Sequence, residues 1–353
     1  QLPIKGILTD SFFLEVNKTM SAQAEVSLYV NHSHFTDFAR QFLDGATKTR
    51  VDEFGETQRV NLRREIETFA DFASWTELDF RFKDEFVSIS GISAADDSLN
   101  HFLSVFANQE PVRFSAEDIL PNNTSFFCSF AFSNKESFFD NLDEYFTHSD
   151  FYYTREERMK RFDRGFRADV NNDFKKIVNN EVIVASTSVP VDPAEKTTYF
   201  ILHTEGKSAA EELFLKMLNN YAARREINFD DLKLNFAVDD EVSYAVYKFP
   251  YPSFPGIWLG NPFGMSKARF VTFFDNYMVF SNSEQGIRDY LRSMTLGATL
   301  TRNIRYQRFR QHNSNRANMH VFVDVNRGFG FKNELFSAEF LEKLDETEES
   351  IRK

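Results

Sequence analysis

The sequence predicts an α+β fold in which antiparallel sheets, built from hairpins, have helices packed on one face. A strand-like alternation followed by an amphipathic helical pattern occurs at least three times, and further strand pairs flank short polar turns. The strands and helices do not alternate regularly, as they would in a doubly wound sheet. Phenylalanine is unusually abundant, with 42 residues against 2 Trp and 12 Tyr, so a core of packed rings is expected.

The first strand-helix copy spans residues 24–44. Val26, Leu28 and Val30 alternate as in a half-buried strand, and the apolar residues of 35–43 follow a helical period. The second copy spans 124–146 and the third 197–221. Capping boxes are predicted at Ser133 with Glu136 and at Ser208 with Glu211. A similar strand returns at 318–325, which indicates divergent tandem strand-helix repeats.

Three hairpins are predicted between these copies. They span 78–90 around a turn at 83–85, 232–249 around 239–241, and 269–281 around 275–276. Ser281 with Glu284 is expected to cap the helix that follows the third hairpin. A chain of 353 residues exceeds the usual size of a single core. The length therefore predicts two or more domains or one elongated repeat assembly. The repeated pattern predicts three α+β modules, at 1–120, 121–228 and 229–353, which can share one continuous sheet.

The charge balance disfavours a general nucleic-acid binder. The formal net charge is −12, and phosphate contacts require a basic face. Two basic stretches, at 152–167 and 289–324, have helical spacing and are interpreted as solvated helix faces. If either stretch is functional, it would face an acidic protein partner or an anionic surface, and Arg305 and Arg308 are the candidate residues of the second.

Motifs for chemistry are missing from the sequence. Cys128 is the only cysteine, which excludes an intramolecular disulfide and multi-cysteine metal sites, and it is predicted to be a small buried hydrophobe. The chain contains neither G-x-S-x-G nor G-x-x-x-x-G-K-[ST]. Carboxylate pairs such as Asp96 with Asp97 fit turns and helix starts. We therefore predict no catalytic, cofactor-binding or metal-binding residues and no cofactor.

The segment 250–262 holds four of the nine prolines and is predicted to be irregular. Its aromatic side chains, with one just beyond it, are the candidate partner or ligand surface: Tyr251, Phe254, Trp258 and Phe263. Packing into the core or a linker is the alternative interpretation of these rings.

The chain has no run of about 18 apolar residues, so no transmembrane helix is predicted. It begins at Gln1 without an initiator methionine. This start is interpreted as the cut end of a longer chain from which an export or anchor segment has been removed.

A family resemblance rests on four sequence features. These are QEP at 109–111, ILPNNT at 119–124, SNK at 133–135 and the hairpin at 78–90. Together they resemble a Bacteroidetes-type group of envelope proteins in the domain-of-unknown-function 3352 class. The resemblance implies a membrane-anchored extracytoplasmic module in the periplasm or cell envelope, with its anchor outside these residues. It implies no catalytic residues.

These observations favour a non-enzymatic extracytoplasmic module that acts through contacts with a protein partner or as a scaffold for an adjoining C-terminal domain. The second hypothesis is binding of an apolar ligand, such as a lipid, in a Phe-lined cavity. The third is an enzyme whose site is assembled from residues distant in sequence.

Overall fold

The computed structural model describes residues 6–22, 24–83, 86–95, 100–187, 197–260, 263–264, 266–311, 313–324, 336–343 and 346. The chain divides into two compact units. Unit 1 comprises Gln1–Ala107, Phe309–Asn313 and Phe329–Lys353, and unit 2 comprises Asn108–Arg308 and Ser314–Gly328.

Unit 1 contains a three-stranded antiparallel sheet of order β1-β4-β5 and a separate hairpin formed by β2 and β3. Its strands are β1 (Val26–Asn31), β2 (Thr47–Val51), β3 (Thr57–Asn61), β4 (Trp75–Lys83) and β5 (Phe86–Ala94). Its helices are α1 (Ser11–Asn17), α2 (His32–Ala39) and α3 (Leu62–Glu65), with 3-10 turns at Ile7–Thr9, Ile66–Phe69 and Phe102–Phe106. The strand of the first copy and the hairpin at 78–90 are thus confirmed, although Asp84 and Glu85 of its turn lie outside the described residues. The helix of that copy is α2, which ends at Ala39 and does not continue to Leu43 as predicted.

Helix α1 packs on the sheet of unit 1 through Phe13 and Val16, which are both buried. The Phe13 ring lies 5.2 Å from the ring of Trp75. Asp10 begins the helix, because its Oδ1 accepts hydrogen bonds from the backbone N–H groups of Phe12 and Phe13 at 3.0 and 3.1 Å. Its Oδ2 accepts a bond from Trp75 Nε1 at 3.0 Å. Asp10 therefore ties the start of α1 to strand β4.

Unit 2 is built on an eight-stranded antiparallel sheet of order β10-β11-β12-β13-β9-β8-β7-β15. Strands β14 and β6 form a separate two-stranded sheet. Its strands are β6 (Val112–Arg113), β7 (Thr124–Ala131), β8 (Val178–Thr187), β9 (Thr197–Thr204), β10 (Lys233–Ala237), β11 (Ser243–Lys248), β12 (Phe270–Phe274), β13 (Tyr277–Ser281), β14 (Arg316–Ala317) and β15 (Met319–Val323). Its helices are α4 (Ala116–Ile119), α5 (Lys135–Thr147), α6 (Tyr152–Phe166), α7 (Val170–Ile177), α8 (Lys207–Arg225), α9 (Phe254–Leu259), α10 (Glu284–Thr295) and α11 (Ile304–Arg310), which begins in this unit.

The large sheet runs across the predicted module boundary at residue 228. Strands β7 to β9 precede that boundary and strands β10 to β13 follow it, yet all belong to one sheet, because β9 pairs with β13. The predicted hairpins at 232–249 and 269–281 are confirmed as β10 with β11 and β12 with β13. The predicted strand at 318–325 is confirmed as β15, although Val325 lies outside the described residues.

Helices lie on both faces of the large sheet. Phe273 and Phe274 are consecutive on β12 and so point to opposite faces. Phe273 contacts Phe214 of α8 at a ring separation of 5.8 Å, whereas Phe274 contacts Tyr290 of α10 at 6.3 Å. The α+β class predicted from the sequence is confirmed, with a second helical layer in addition to the single layer that was expected.

The helix starts differ from the predicted caps. Asn134 caps α5, since its side chain accepts a bond from Ser137 N at 2.9 Å. Ser133 is engaged elsewhere, accepting a bond from Glu110 N at 2.9 Å. Similarly, Ser283 and not Ser281 caps α10.

The third predicted cap is also displaced. Ser208 lies inside α8, whose N-cap is Gly206 with no capping side chain. The prediction therefore placed this helix start too late.

Candidate binding surface

Strand β5 is an open edge of the unit 1 sheet. It runs for nine residues in regular register with β4 and contains no charged residue and no proline. Within the described part of the chain, no strand pairs with its outer side. Four consecutive residues, Ile89 to Ile92, are exposed. Natural sheets usually protect edges with charges, prolines or bulges, so β5 keeps a geometry that can accept another strand.

One face of the same sheet is apolar and exposed. Register places Leu28 opposite Leu78, Phe80 opposite Ile89, and Phe82 opposite Val87. We call this surface the apolar face; its members are Val26, Leu28, Leu78, Phe80, Phe82, Val87 and Ile89. Between 43% and 50% of the surface of Val26, Leu28, Phe82, Val87 and Ile89 is exposed. A contiguous exposed apolar surface of this kind is typical of interaction sites.

Gly91 lets β4 and β5 approach closely beside the apolar face. A Cβ atom at this position would lie 1.8 Å from the carbonyl oxygen of Glu77. A side chain here would therefore force the two strands apart and displace the edge.

The opposite face of the sheet buries a pair of carboxyl groups. Glu77 and Asp79 are two residues apart on β4, so they share this face, and only 0% and 3% of their surfaces are exposed. The Asp79 carboxylate accepts bonds from Ser21 N at 2.6 Å and from Ser27 Oγ at 2.5 Å. In the part of the chain that the structure describes, no N–H or O–H group donates to either carboxyl oxygen of Glu77.

This difference in donors separates the two acids. Burial, followed by the neighbouring Asp79, raises the pKa of Glu77 to about 7. Burial alone would raise the pKa of Asp79, but the bonds from Ser27 and Ser21 and the charge of Arg81 bring it below its usual value. Below about pH 7 Glu77 therefore carries a proton while Asp79 is ionised.

Unit 2 buries a different carboxyl group, that of Glu181, of which 2% is exposed. Its oxygens accept bonds from Ser115 N at 2.8 Å and from the hydroxyls of Ser115 and Ser129. The Tyr277 hydroxyl in turn donates to Ser115 Oγ at 2.7 Å. Burial raises the pKa of Glu181, and these bonds lower it in part. Because Ser115 and Ser129 donate to its carboxyl group, Glu181 stabilises the folded unit 2.

The four aromatic residues selected from the sequence lie in the core of unit 2. Tyr251, Phe254, Trp258 and Phe263 expose between 0% and 4% of their surfaces. Phe254 and Trp258 are one turn apart on α9 and stack at 5.4 Å, and Trp258 Nε1 donates to Asn171 Oδ1 at 3.0 Å. They form no exposed patch, so the alternative of core packing is what the structure shows. Pro262 lies outside the described residues.

Arg305 and Arg308 are both exposed on α11. Tyr306 between them is buried and donates to Glu117 Oε2 at 2.9 Å. The helix is therefore anchored with its arginines outward, and their part in partner binding stays a prediction.

Sequence reasoning missed both the open edge and the carboxyl pair. The signal that could have found the edge is the composition of β5, a strand without any charge. The sequence gives no signal for the carboxyl pair, because Glu77 and Asp79 alternate with apolar residues on β4, and acids in such an alternation are expected to face water.

Among the described residues, no three His, Cys, Asp or Glu side chains lie close enough together to hold a metal ion. In the same part of the chain, no helix is long and apolar enough to cross a membrane. Comparisons of the chain with protein-family models, curated proteins and solved structures found no match.

Proposed function

We propose that this protein is a non-enzymatic binding module that takes an extended segment of a protein partner onto the outer edge of β5. The observation that carries the proposal is the uncharged open edge beside the exposed apolar face. Placement of the module outside the cytoplasm, on a membrane-anchored envelope protein, is part of the proposal and is supported by the family resemblance stated above.

The chemistry of an edge strand selects the partner. Every second residue of such a strand points its N–H and C=O groups outward, and another extended backbone pairs with them in register. The added strand would place alternate side chains over Val87 and Ile89. The partner is therefore an extended segment with alternating apolar residues, the mode of recognition known as β-augmentation. A lipid can cover the apolar face but supplies no N–H donors for the edge.

A second open edge allows a direct comparison. Strand β15 ends the large sheet of unit 2, and Met319, Val321 and Val323 are between 38% and 50% exposed. It is five residues long against nine in β5, and Asp324 follows it directly. The longer strand offers more backbone bonds, which favours β5.

The test is selection of a random peptide library, displayed on phage, against the immobilised protein. Ile89→Lys places a charge on the β5 edge. Val321→Lys on the edge strand β15 is the matched control, since Val321 is 45% exposed and Ile89 is 48% exposed. Circular dichroism confirms that each variant is folded.

We expect enriched peptides with alternating apolar residues that bind the wild type and Val321→Lys and lose at least tenfold in affinity for Ile89→Lys, about 1.4 kcal/mol. Failure to enrich any peptide, or equal binding to Ile89→Lys, would overturn the proposal. Two results would identify a different partner. Ile89-dependent dimerisation in sedimentation velocity would identify a second copy of this chain. Ile89-dependent flotation with phosphatidylglycerol vesicles would identify a lipid surface.

A further inference from the structure

We infer that the Glu77–Asp79 pair makes helix α1 a pH-dependent cover of the unit 1 sheet: α1 is held down while Glu77 carries a proton and is loosened when both carboxyls are ionised. This inference deepens the proposed function, because it concerns regulation of the same sheet. Its geometry, however, is independent of whether a peptide binds to β5.

The position of Glu77 carries the first step. It lies in the central strand, opposite Tyr29 on β1 and Ile92 on β5, on the face that α1 covers. An ionised carboxylate in this position has lost its water without gaining a donor, which is costly in a protein interior. The nearest acid, Asp79, already carries a negative charge that its own hydrogen bonds stabilise.

Among the described residues around Glu77, the charged and titratable groups act on Asp79 or stay neutral. In that part of the chain, the Nε of Arg81 is buried without a hydrogen-bond partner, and no bond joins it to Glu77. On β4, Arg81 donates to Ser21 Oγ at 3.2 Å and lowers the pKa of Asp79. On β1, the pKa of Tyr29 is raised by burial and by both carboxyls, so its phenol stays neutral. Strand β5 has no titratable residue.

The charges of α1 do not help either. Asp10 is occupied by the backbone of the helix and by Trp75, and Glu15 is an exposed acid of the same sign. Within the described residues around this face, protonation is thus the means of neutralising Glu77.

Helix α1 is the element that yields most easily. It has seven residues, and its buried side chains are Phe13 and Val16. Helices this short have little stability of their own. Lifting α1 admits water to Glu77, so ionisation of the pair is relieved by loosening this contact.

The direction with pH follows from the raised pKa of Glu77. Between its ordinary value of 4.5 and about 7, the closed state keeps a proton that the open state has released. Closure is therefore fully favoured below this window and weakens as pH rises through it. The equilibrium for opening should increase about tenfold between pH 6 and pH 8.

Hydrogen exchange of the α1 amides at pH 6 and pH 8, corrected for the intrinsic exchange rates, tests the inference in the absence of peptide. We expect about tenfold weaker protection at pH 8 in the wild type. Glu77→Gln, which has nearly the same size and cannot ionise, should be equally protected at both values. Glu15→Gln removes an exposed charge from the same helix and should behave like the wild type.

Equal protection of the wild type at both pH values would overturn the inference, as would an unchanged pH dependence in Glu77→Gln. Should Glu77→Gln fail to fold, Glu77→Leu, which also cannot ionise, replaces it in the same exchange measurement and should be equally protected at both pH values. A pH dependence as large as that of the wild type in Glu77→Leu would contradict the inference. Because no peptide is present, failure of peptide selection leaves this result unaffected, and the reverse also holds.

Discussion

At the scale of single residues, hydrogen-bond donors decide how a buried carboxyl group behaves. Glu181 accepts bonds from Ser115 and Ser129, whereas no group among the described residues donates to Glu77. Both side chains are buried. The first therefore stabilises the sheet that contains it, and the second makes its sheet sensitive to protonation.

Removal of a donor to Glu181 should destabilise unit 2. Ser129→Ala leaves part of a buried carboxylate without its bond, which should lower the free energy of unfolding by about 1–3 kcal/mol. Urea denaturation measures the change. Ser208→Ala, at an exposed position on α8, is the control and should change the stability by less than about 0.5 kcal/mol. Equal effects of the two substitutions would contradict the role given to Ser129.

The thiol of Cys128 should be unreactive in the folded protein. The residue is partly exposed on β7, not fully buried as the sequence predicted, but burial of its thiol raises the pKa to about 12, and the thiolate is the reactive form. We expect alkylation by iodoacetamide at pH 8 to be at least tenfold slower than in urea-unfolded protein, as followed by mass spectrometry. Fast alkylation under native conditions would show that the thiol is hydrated and ionises as it does in the unfolded chain.

At the scale of elements, side chains that join a helix to a strand determine which surfaces are covered. Asp10 both caps α1 and accepts a bond from Trp75 of β4. The cover over the carboxyl pair therefore depends on one side chain at the start of a short helix.

Asp10→Ala should weaken the closure of α1 by about 1 kcal/mol, because the cap and the bond from Trp75 are both lost. Hydrogen exchange of the α1 amides at pH 6 measures the effect. Asp10→Asn retains an oxygen for the cap and should restore most of the protection. If the alanine variant exchanges like the wild type, Asp10 does not hold the helix.

The elements that were predicted correctly are those with a strong local pattern. The hairpin at 78–90 follows from strict alternation around a polar turn, and strand β1 from the alternation of Val26, Leu28 and Val30. The helix starts were displaced because several residues near each start can act as caps, and tertiary bonds such as that from Glu110 N to Ser133 decide among them.

Segment 250–262 shows the opposite case. Its prolines suggested irregular chain, but Pro255 lies in the first turn of α9, a position where the missing N–H causes no loss. The stack of Phe254 on Trp258 then draws the helix into the core. That outcome depends on packing partners such as Phe174, 80 residues earlier in the sequence than Phe254, which local patterns do not specify.

At the scale of the whole molecule, the two units differ in how the faces of their sheets are covered. The large sheet of unit 2 has helices on both faces, as the contacts of Phe273 and Phe274 show. The small sheet of unit 1 is covered by α1 on one face and is apolar and exposed on the other. The sequence predicts the strands of both sheets, but it does not show which face stays exposed, because burial depends on how distant segments pack.

The measurement that tests the central claim most directly is hydrogen exchange of the whole protein with and without a peptide selected from the library. We predict added protection at the amides of β5, with smaller changes at β10 and β15, the two edges of the large sheet. Protection confined to β15, or to any other segment without a change at β5, would contradict the assignment of the β5 edge as the binding surface.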